Sequence, residues 1–103
     1  FNSVDKVKFN VIKRELSNKQ KSIQLTRQQS KILSGLIQAE ENRLSHQELL
    51  ELINKFLSEA NQKALAVSIF RLNKKLAELG LNDVAIKSDW NQSYQLTENI
   101  VIS

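Results

Sequence analysis

The sequence predicts an α+β domain in which a small N-terminal antiparallel sheet is followed by three helices and a C-terminal β-hairpin. Three observations predict this order. Residues 7–11 alternate apolar and polar side chains, as a half-buried strand does. Residues 26–79 repeat apolar side chains at helical spacing. Two short apolar segments, residues 84–86 and 94–96, flank a polar loop, which indicates a hairpin.

Composition limits the function classes. A length of 103 residues is typical of one domain, and zero prolines with two glycines argue against an all-β fold with many tight turns. The absence of cysteine excludes disulfides and thiolate metal sites, and the single histidine, His46, cannot build a histidine-rich metal site or a Cys–His pair. No paired catalytic constellation is present. We therefore expect neither an enzyme nor a bound cofactor or metal.

The N-terminal quarter predicts the small sheet. Its first strand is the alternating segment at residues 7–11, and residues 22–25 form a second short strand. Residues 13–16 are a candidate third strand, and residues 17–21 form a polar turn.

The first helix is predicted to begin after Thr26. Its hydroxyl can accept a backbone N–H of the first turn while the Gln29 side chain reaches back, which is a capping box. Gly35 within the helix costs stability unless another element packs closely against it. We expect the helix to end near residues 38–40 and residues 41–43 to form a connector.

The second helix is predicted to begin after Ser45, which forms a capping box with Glu48. His46 lies in its first turn, where we expect a solvated surface position. Residues 57–60 are a short connection. The apolar stripe of this helix is predicted to contain Leu49, Leu50, Leu52, Ile53, Phe56 and Leu57.

The third helix, at about residues 61–79, has the sharpest pattern. Five apolar side chains lie within an arc of about 80° when each residue advances about 100°. These are Leu65, Ile69, Leu72, Leu76 and Leu79. Gly80 then supplies a left-handed residue that ends the helix.

The opposite side of this helix, which we call the outer arc, mixes basic and apolar residues. It contains Lys63, Ala64, Val67, Phe70, Arg71, Lys74 and Glu78, with Lys75 beside it. Residues 1–25 hold six basic and two acidic side chains, and residues 60–79 hold four and one. Such clustering favours a polyanionic partner, and the alternative is a solvated surface on which the charges cluster by chance.

The C-terminal part is predicted to form a hairpin over residues 84–96, with Trp90 near its tip. Residues 100–102 either add a strand or continue into further sequence. Together, the sheet, three helices and hairpin predict a winged helix-turn-helix. In such a fold, a helix with one buried face can lie in the DNA major groove while the hairpin reaches the adjacent backbone or minor groove.

Four stretches carry a resemblance to a known family. They are residues 23–26, residues 44–50, residues 67–76 (Val-Ser-Ile-Phe-Arg-Leu-Asn-Lys-Lys-Leu) and the hairpin from Ile86-Lys87 to Tyr94-Gln95-Leu96. Over residues 22–96 the chain resembles the effector domain of OmpR/PhoB-type regulators, a family that includes response regulators and ToxR/CadC-like membrane-anchored activators. The resemblance implies a DNA-binding domain of a bacterial transcription regulator, with residues 1–25 as the N-terminal sheet and residues 26–103 as the three-helix core and wing of a single domain.

The sequence departs from the family at four places. Asn91-Gln92-Ser93 stands where the family usually has a glycine pair before the tyrosine. Trp90, beside Asp89, replaces a basic residue at the wing tip, and a carboxylate near phosphate is unfavourable. Asn54 replaces a common aromatic residue and Asn73 a common arginine.

The outer arc and the resemblance together assign DNA contacts. Arg71 is expected to read a base edge, because the family uses this position for DNA contact and arginine can bind guanine with two hydrogen bonds. Val67 is expected to touch a thymine methyl, and three lysines of the third helix are expected to bind phosphates. The full set of expected contacts is Lys63, Ala64, Val67, Ser68, Arg71, Lys74, Lys75, Thr26, Arg27, Lys87 and Trp90.

Some of these residues have alternative roles. Arg71 could instead pair with Glu78 or contact phosphate only, Val67 could pack against the hairpin, and Phe70 could face a partner subunit. A second reading of the whole domain is a winged helix that has lost DNA binding and mediates protein–protein contact within a regulatory complex.

The resemblance also implies the cellular context. The partner is double-stranded promoter DNA, bound by paired or self-associated domains, with RNA polymerase or a partner regulator as protein partners and no small-molecule substrate. Because the chain starts at Phe1, we expect a fragment of a longer protein, with either a receiver domain before it or a transmembrane segment after it. We favour the membrane-anchored type, which places the domain in the cytoplasm at the face of the inner membrane.

Overall fold

A computed structural model describes residues 6–89 and 92–102 of the chain. Within these ranges the helices are α1 (Arg27–Gln38), α2 (His46–Leu52) and α3 (Glu59–Glu78), with a 3₁₀ turn at Glu40–Asn42. The strands are β1 (Val7–Asn10), β2 (Glu15–Ser17), β3 (Ser22–Gln24), β4 (Arg43–Ser45), β5 (Ile86–Asp89), β6 (Ser93–Leu96) and β7 (Ile100–Ile102).

The strands form two sheets. The first has the order β3-β2-β1-β7, in which β1, β2 and β3 are antiparallel as predicted and β7 pairs parallel to β1, with Val7 opposite Ile100. The tail at residues 100–102 therefore adds a strand, and its Ile100 side chain is buried. The second sheet has the order β4-β6-β5, and its β5–β6 hairpin is the predicted wing. The α+β winged-helix fold is confirmed.

One apolar core joins both sheets and all three helices. All five apolar residues predicted for the inner stripe of α3 are buried in it. The other members are Val7, Phe9, Leu16, Leu25, Ile32, Leu33, Leu36, Leu49, Leu50, Ala85, Ile86, Tyr94, Leu96 and Ile100. Among the described residues, no helix combines the length and the apolarity needed to cross a bilayer.

The first helix follows its prediction at both ends. Thr26 is the N-cap, the capping box with Gln29 is formed, and α1 ends at Gln38. Gly35 has the close neighbour that its position requires. A Cβ there would collide with the Cδ1 of Leu52 and would lie 3.2 Å from the Cδ1 of Leu44.

The second helix is shorter than predicted. It begins with the predicted Ser45–Glu48 capping box but ends at Leu52. Asn54 adopts a left-handed φ of 60°, and the N–H of Lys55 donates to the Leu50 carbonyl at 2.9 Å, so that the helix ends in a Schellman motif. Phe56 and Leu57 therefore lie beyond the helix, where their side chains are 77% and 49% exposed, and the prediction that they extend the buried stripe is wrong.

The third helix begins two residues earlier than predicted. Ser58 is its N-cap and accepts a hydrogen bond from the N–H of Asn61 at 3.1 Å. At the other end Gly80 has a φ of 90°, which confirms the predicted left-handed residue. The N–H of Leu81 donates to the Leu76 carbonyl at 3.2 Å, which completes the helix end.

Three features of the sheet that contains the wing differ from the prediction. The connector predicted at residues 41–43 leads directly into a strand that was not predicted, because Arg43, Leu44 and Ser45 form β4 and pair with β6. The first wing strand begins at Ile86, and Val84, predicted to belong to it, is 56% exposed. The two wing strands pair as far as Asp89 and Ser93, so the loop between them is shorter than the predicted one.

Candidate nucleic-acid interface

Helix α3 has one buried and one exposed side. The inner stripe lies in the core, whereas the outer arc points away from it. Val67 and Phe70 on this arc are 48% and 60% exposed, and Arg71 and Lys74 are exposed as well. Apolar side chains this exposed, next to cationic ones, give a surface that can meet both base methyl groups and phosphates.

Arg71 lies on the open surface of α3. No described residue forms an ion pair or a hydrogen bond with its side chain, and Glu78, the partner considered from the sequence, instead pairs with Lys21 at 3.2 Å. The guanidinium group therefore keeps its five donors available for a ligand.

The lysines on the outer arc differ in their surroundings. The Nζ of Lys74 lies 4.9 Å from the centroid of the Phe70 ring. These two side chains, which are about one helical turn apart on α3, therefore form a cation–π pair. Lys63 lies 3.5 Å from Glu59, and both side chains are more than three-quarters exposed. An ion pair in such full solvent contact contributes little and leaves Lys63 able to change partner.

Lys75 and Ser68, both expected to contact DNA, have partners in the N-terminal part of the fold. The Nζ of Lys75 donates to the Gln29 Oε1 at 2.7 Å and to the Gln24 carbonyl at 3.0 Å. The hydroxyl of Ser68 donates to the Gln28 Oε1 at 2.9 Å. These contacts hold α3 against the first turn of α1, and a phosphate contact by Lys75 stays a prediction.

The N-terminus of α1 supplies the other predicted contacts of the helical core. The Thr26 hydroxyl accepts the Gln29 N–H at 3.1 Å, and the Thr26 N–H donates to the Gln29 Oε1 at 3.0 Å. The backbone N–H of Thr26 is therefore occupied, whereas its hydroxyl proton remains available. Arg27, the first residue of α1, is exposed.

The wing presents a polar outer surface. Lys87 is exposed on β5 and lies opposite Gln95 of β6, which in turn lies opposite Arg43 of β4. A row of two basic side chains and one amide therefore crosses this sheet. The predicted contact Trp90 lies outside the described residues.

Asp89 does not present an uncompensated charge to a phosphate. Its Oδ1 accepts the Ser93 hydroxyl at 2.8 Å, and its Oδ2 lies 3.5 Å from the Arg43 Nε. The Asp89 side chain is only 18% exposed. The sequence suggested that this carboxylate would be unfavourable near a phosphate. In the fold its charge is compensated by Arg43 of β4, a strand that was not predicted.

Asn73 connects α3 to the wing. Its side chain is buried, its Nδ2 donates to the Ile86 carbonyl at 2.8 Å, and its Oδ1 accepts the Ile86 N–H at 2.8 Å. Because Ile86 is the first residue of β5, these two bonds fix the base of the wing to the helix. The sequence marked Asn73 only as a departure from the family. Its position next to Leu72 of the buried stripe was the feature that could have predicted its burial.

The expectation that His46 is a solvated surface residue is wrong. Its ring stacks on Tyr94 of the wing, with the ring centroids 4.9 Å apart, and its Nδ1 lies 3.5 Å from the Gln62 Oε1. Its Nε2 is buried without a hydrogen-bond partner among the described residues. His46 therefore packs α2 against the wing.

Tyr94 gives a pH-dependent test of this packing. Burial raises the pKa of the Tyr94 hydroxyl because it disfavours the phenolate. The stabilisation associated with the neutral phenol is thus fully present below the unfolded pKa of about 10 and is lost as the pH rises above it. Between about pH 9 and pH 11 we expect the free energy of unfolding to fall more in the wild type than in Tyr94→Phe, as measured by urea denaturation. Parallel pH profiles for the two proteins would contradict the assignment.

No group of three or more His, Asp or Glu side chains among residues 6–89 and 92–102 is placed to hold a metal ion. The polar and charged side chains of α3, of the α1 N-terminus and of the wing instead form an open surface. Such a surface suits an extended anionic ligand better than a small molecule.

Comparison with known families gives one match. The model of a family described as "Transcriptional regulatory protein, C terminal" matches residues 19–96. The matched region starts before β3 and ends at the last residue of β6. A comparison with curated proteins finds no match.

Proposed function

The chain belongs to the family of C-terminal domains of transcriptional regulatory proteins, of the OmpR/PhoB type. We propose that this DNA-binding effector domain engages duplex DNA through helix α3 and the wing. Helix α3 lies in the major groove and the wing, at about residues 84–96, lies near the adjacent minor groove. The family is one of DNA-binding regulatory domains rather than of enzymes, and the function proposed is therefore binding without chemistry.

The exposed outer arc of α3 is the observation that carries the proposal. Its opposite side is fixed in the core, and the arc offers Arg71 and Lys74 beside the apolar surface of Val67. Arg71 reads a guanine, Val67 and the neighbouring Ala64 leave room for a thymine methyl, and Lys63 and Lys74 bind phosphates.

The α1 N-terminus and the wing position the helix in the groove. Arg27 and the Thr26 hydroxyl meet the backbone on one side of the groove, and Lys87 meets it on the other. Phosphate contacts of this kind fix the register of a protein on DNA without reading its sequence. The Asn73–Ile86 bonds support a fixed distance between the wing and α3.

Partners and location follow from the family in the same proposal. The domain binds promoter DNA in pairs and contacts RNA polymerase or a partner regulator. The exposed side chains of Phe56 and Leu57, between α2 and α3, support a protein contact at that connection. We place the domain in the cytoplasm, at the inner membrane where a transmembrane segment elsewhere in the protein tethers it.

A salt titration tests the DNA-binding proposal. The probe is a mixed-sequence duplex of about 30 base pairs, and the readout is fluorescence anisotropy. Phosphate contacts by four cationic side chains, those of Arg27, Lys63, Lys74 and Lys87, predict a slope of about −3.6 in a plot of log affinity against log salt. This slope corresponds to a loss of affinity of about 10²-fold between 50 and 200 mM salt. Lys74→Gln is expected to make the slope shallower by about 0.9, whereas Lys31→Gln, a matched change on the exposed surface of α1, leaves it unchanged.

A protein–protein role is the second candidate, and the exposure of Phe70 favours it. An aromatic side chain that is 60% exposed on an outer surface is typical of a protein contact. In this reading the domain fails to bind the duplex even at 50 mM salt, and Phe70→Ser abolishes association with its protein partner. Tight, salt-dependent duplex binding that survives Phe70→Ser excludes this candidate.

A further inference from the structure

The turn between β2 and β3, at residues 18–21, is attached to the C-terminal end of α3. We call it the basic turn, since it contains Lys19 and Lys21. The Asn18 Nδ2 donates to the Leu79 carbonyl at 3.0 Å, and the Lys21 Nζ lies 3.2 Å from the Glu78 Oε1. Residues about 60 positions apart in the sequence thus meet at one place on the surface.

The basic turn lies beside the outer arc of α3, because Lys21 pairs with Glu78. Glu78 belongs to the outer arc and follows Lys74 by four residues, which is about one helical turn. The ammonium group bound to Glu78 therefore continues the row of cationic side chains on the outer arc beyond the end of α3.

Without the basic turn this end of α3 would repel DNA. The C-terminus of a helix carries the negative end of the helix dipole, and Glu78 adds a full negative charge. The Asn18 amide satisfies one of the terminal carbonyls, and the Lys21 ammonium neutralises the carboxylate. Lys21 remains 50% exposed, so that its Nζ can meet a phosphate while it stays next to Glu78.

The backbone of the basic turn is held in place by its own hydrogen bonds. The Asn18 Oδ1 accepts the N–H groups of Gln20 and Lys21, both at 2.9 Å, and the Asn18 N–H donates to the Lys21 carbonyl at 2.9 Å. Little backbone freedom is left to lose when a ligand binds, which favours contact.

We propose that the basic turn is a further DNA-binding element, separate from α3 and the wing, and that the Lys21 Nζ binds a phosphate of the duplex beyond the C-terminal end of α3. This proposal rests on the function proposed above. The ligand is the phosphate backbone of duplex DNA, and the contact adds affinity and salt dependence without sequence preference.

A double-mutant cycle separates a phosphate contact from simple neutralisation of Glu78. The four proteins are the wild type, Lys21→Gln, Glu78→Gln and the double variant, titrated with the same mixed-sequence duplex at several salt concentrations. If Lys21 binds a phosphate, the double variant has a slope shallower by about 0.9 than that of Glu78→Gln, and its affinity falls about 3-fold less between 50 and 200 mM salt. Lys13→Gln, an exposed lysine in the turn at the other end of β2, is the matched control and keeps the wild-type slope.

The outcomes distinguish this proposal from the one on which it rests. Equal slopes for Glu78→Gln and the double variant, with salt-dependent binding by the wild type, overturn the contact by the basic turn and leave the function proposed for α3 intact. A wild type that does not bind the duplex at 50 mM salt overturns both. Circular dichroism of each variant confirms that the fold is retained, which is expected because Lys21 and Glu78 are both half exposed.

Discussion

Arg71→Ala is expected to relax the preference for guanine at one position of the bound site by about 5- to 150-fold, which corresponds to about 1–3 kcal/mol. The reason is that an arginine bound to the O6 and N7 of guanine loses both hydrogen bonds on truncation, and alanine can discriminate no base in their place. The measurement is selection of binding sites from random-sequence duplexes, carried out in parallel with the wild type and the variant.

Lys74→Ala is the informative comparison for Arg71→Ala. Lys74 contacts a phosphate in the proposed complex. Removal of its charge therefore lowers the affinity for all sequences alike and leaves the selected site unchanged. Lys31→Ala, which removes an exposed positive charge on α1, should alter neither affinity nor preference strongly. Selection of the same site by the wild type and by Arg71→Ala, with a change in salt slope alone, would assign Arg71 to a phosphate.

The ends of the helices show what a single sequence can predict here. Thr26 with Gln29, Ser45 with Glu48, and Gly80 act on backbone groups within four residues, and all three local signals were correct. The end of α2 also had a local signal. Asn54 tolerates a left-handed φ and ends the helix. The helical spacing of Phe56 instead predicted that the helix continues beyond Asn54, and Phe56 is exposed.

The exposure of the outer arc was predicted correctly from the sequence, whereas the contacts that support the arc and the wing were missed. Helical periodicity identified the outer arc, because exposure on one helix follows from burial on its opposite face. The partners of Asp89, Lys75 and Asn73 depend on which strands and helices meet in space. No local spacing encodes that meeting, so β4, the Lys75 contacts with α1 and the Asn73–Ile86 bonds could be found only from the fold.

The buried Asn73 leads to the largest expected effect on stability. Asn73→Ala removes both hydrogen bonds to Ile86 and leaves a backbone N–H and a carbonyl without these partners in a buried site. Each unsatisfied group costs about 1–3 kcal/mol, so the variant should lose about 2–6 kcal/mol of unfolding free energy in urea denaturation. Asn82→Ala is the matched control. Asn82 also bonds a backbone N–H, that of Val84, but it is exposed, so that water replaces the bond and the loss stays below about 1 kcal/mol.

Asn73→Asp tests the geometry of the same two bonds. An ionised carboxylate can still accept the Ile86 N–H but faces the Ile86 carbonyl with a second acceptor, whereas a protonated carboxyl group can donate to that carbonyl. The fold therefore favours the protonated form of the new side chain and raises its pKa, so the stability of the variant relative to the wild type should improve as the pH falls. The loss of amide hydrogen-exchange protection in β5 and β6, compared with the wild type at the same pH, should follow the same trend and be larger at neutral pH, because the wing is held to α3 through this residue. A variant whose deficit is independent of pH, or whose wing exchanges as slowly as that of the wild type, would show that the two bonds do not fix the wing.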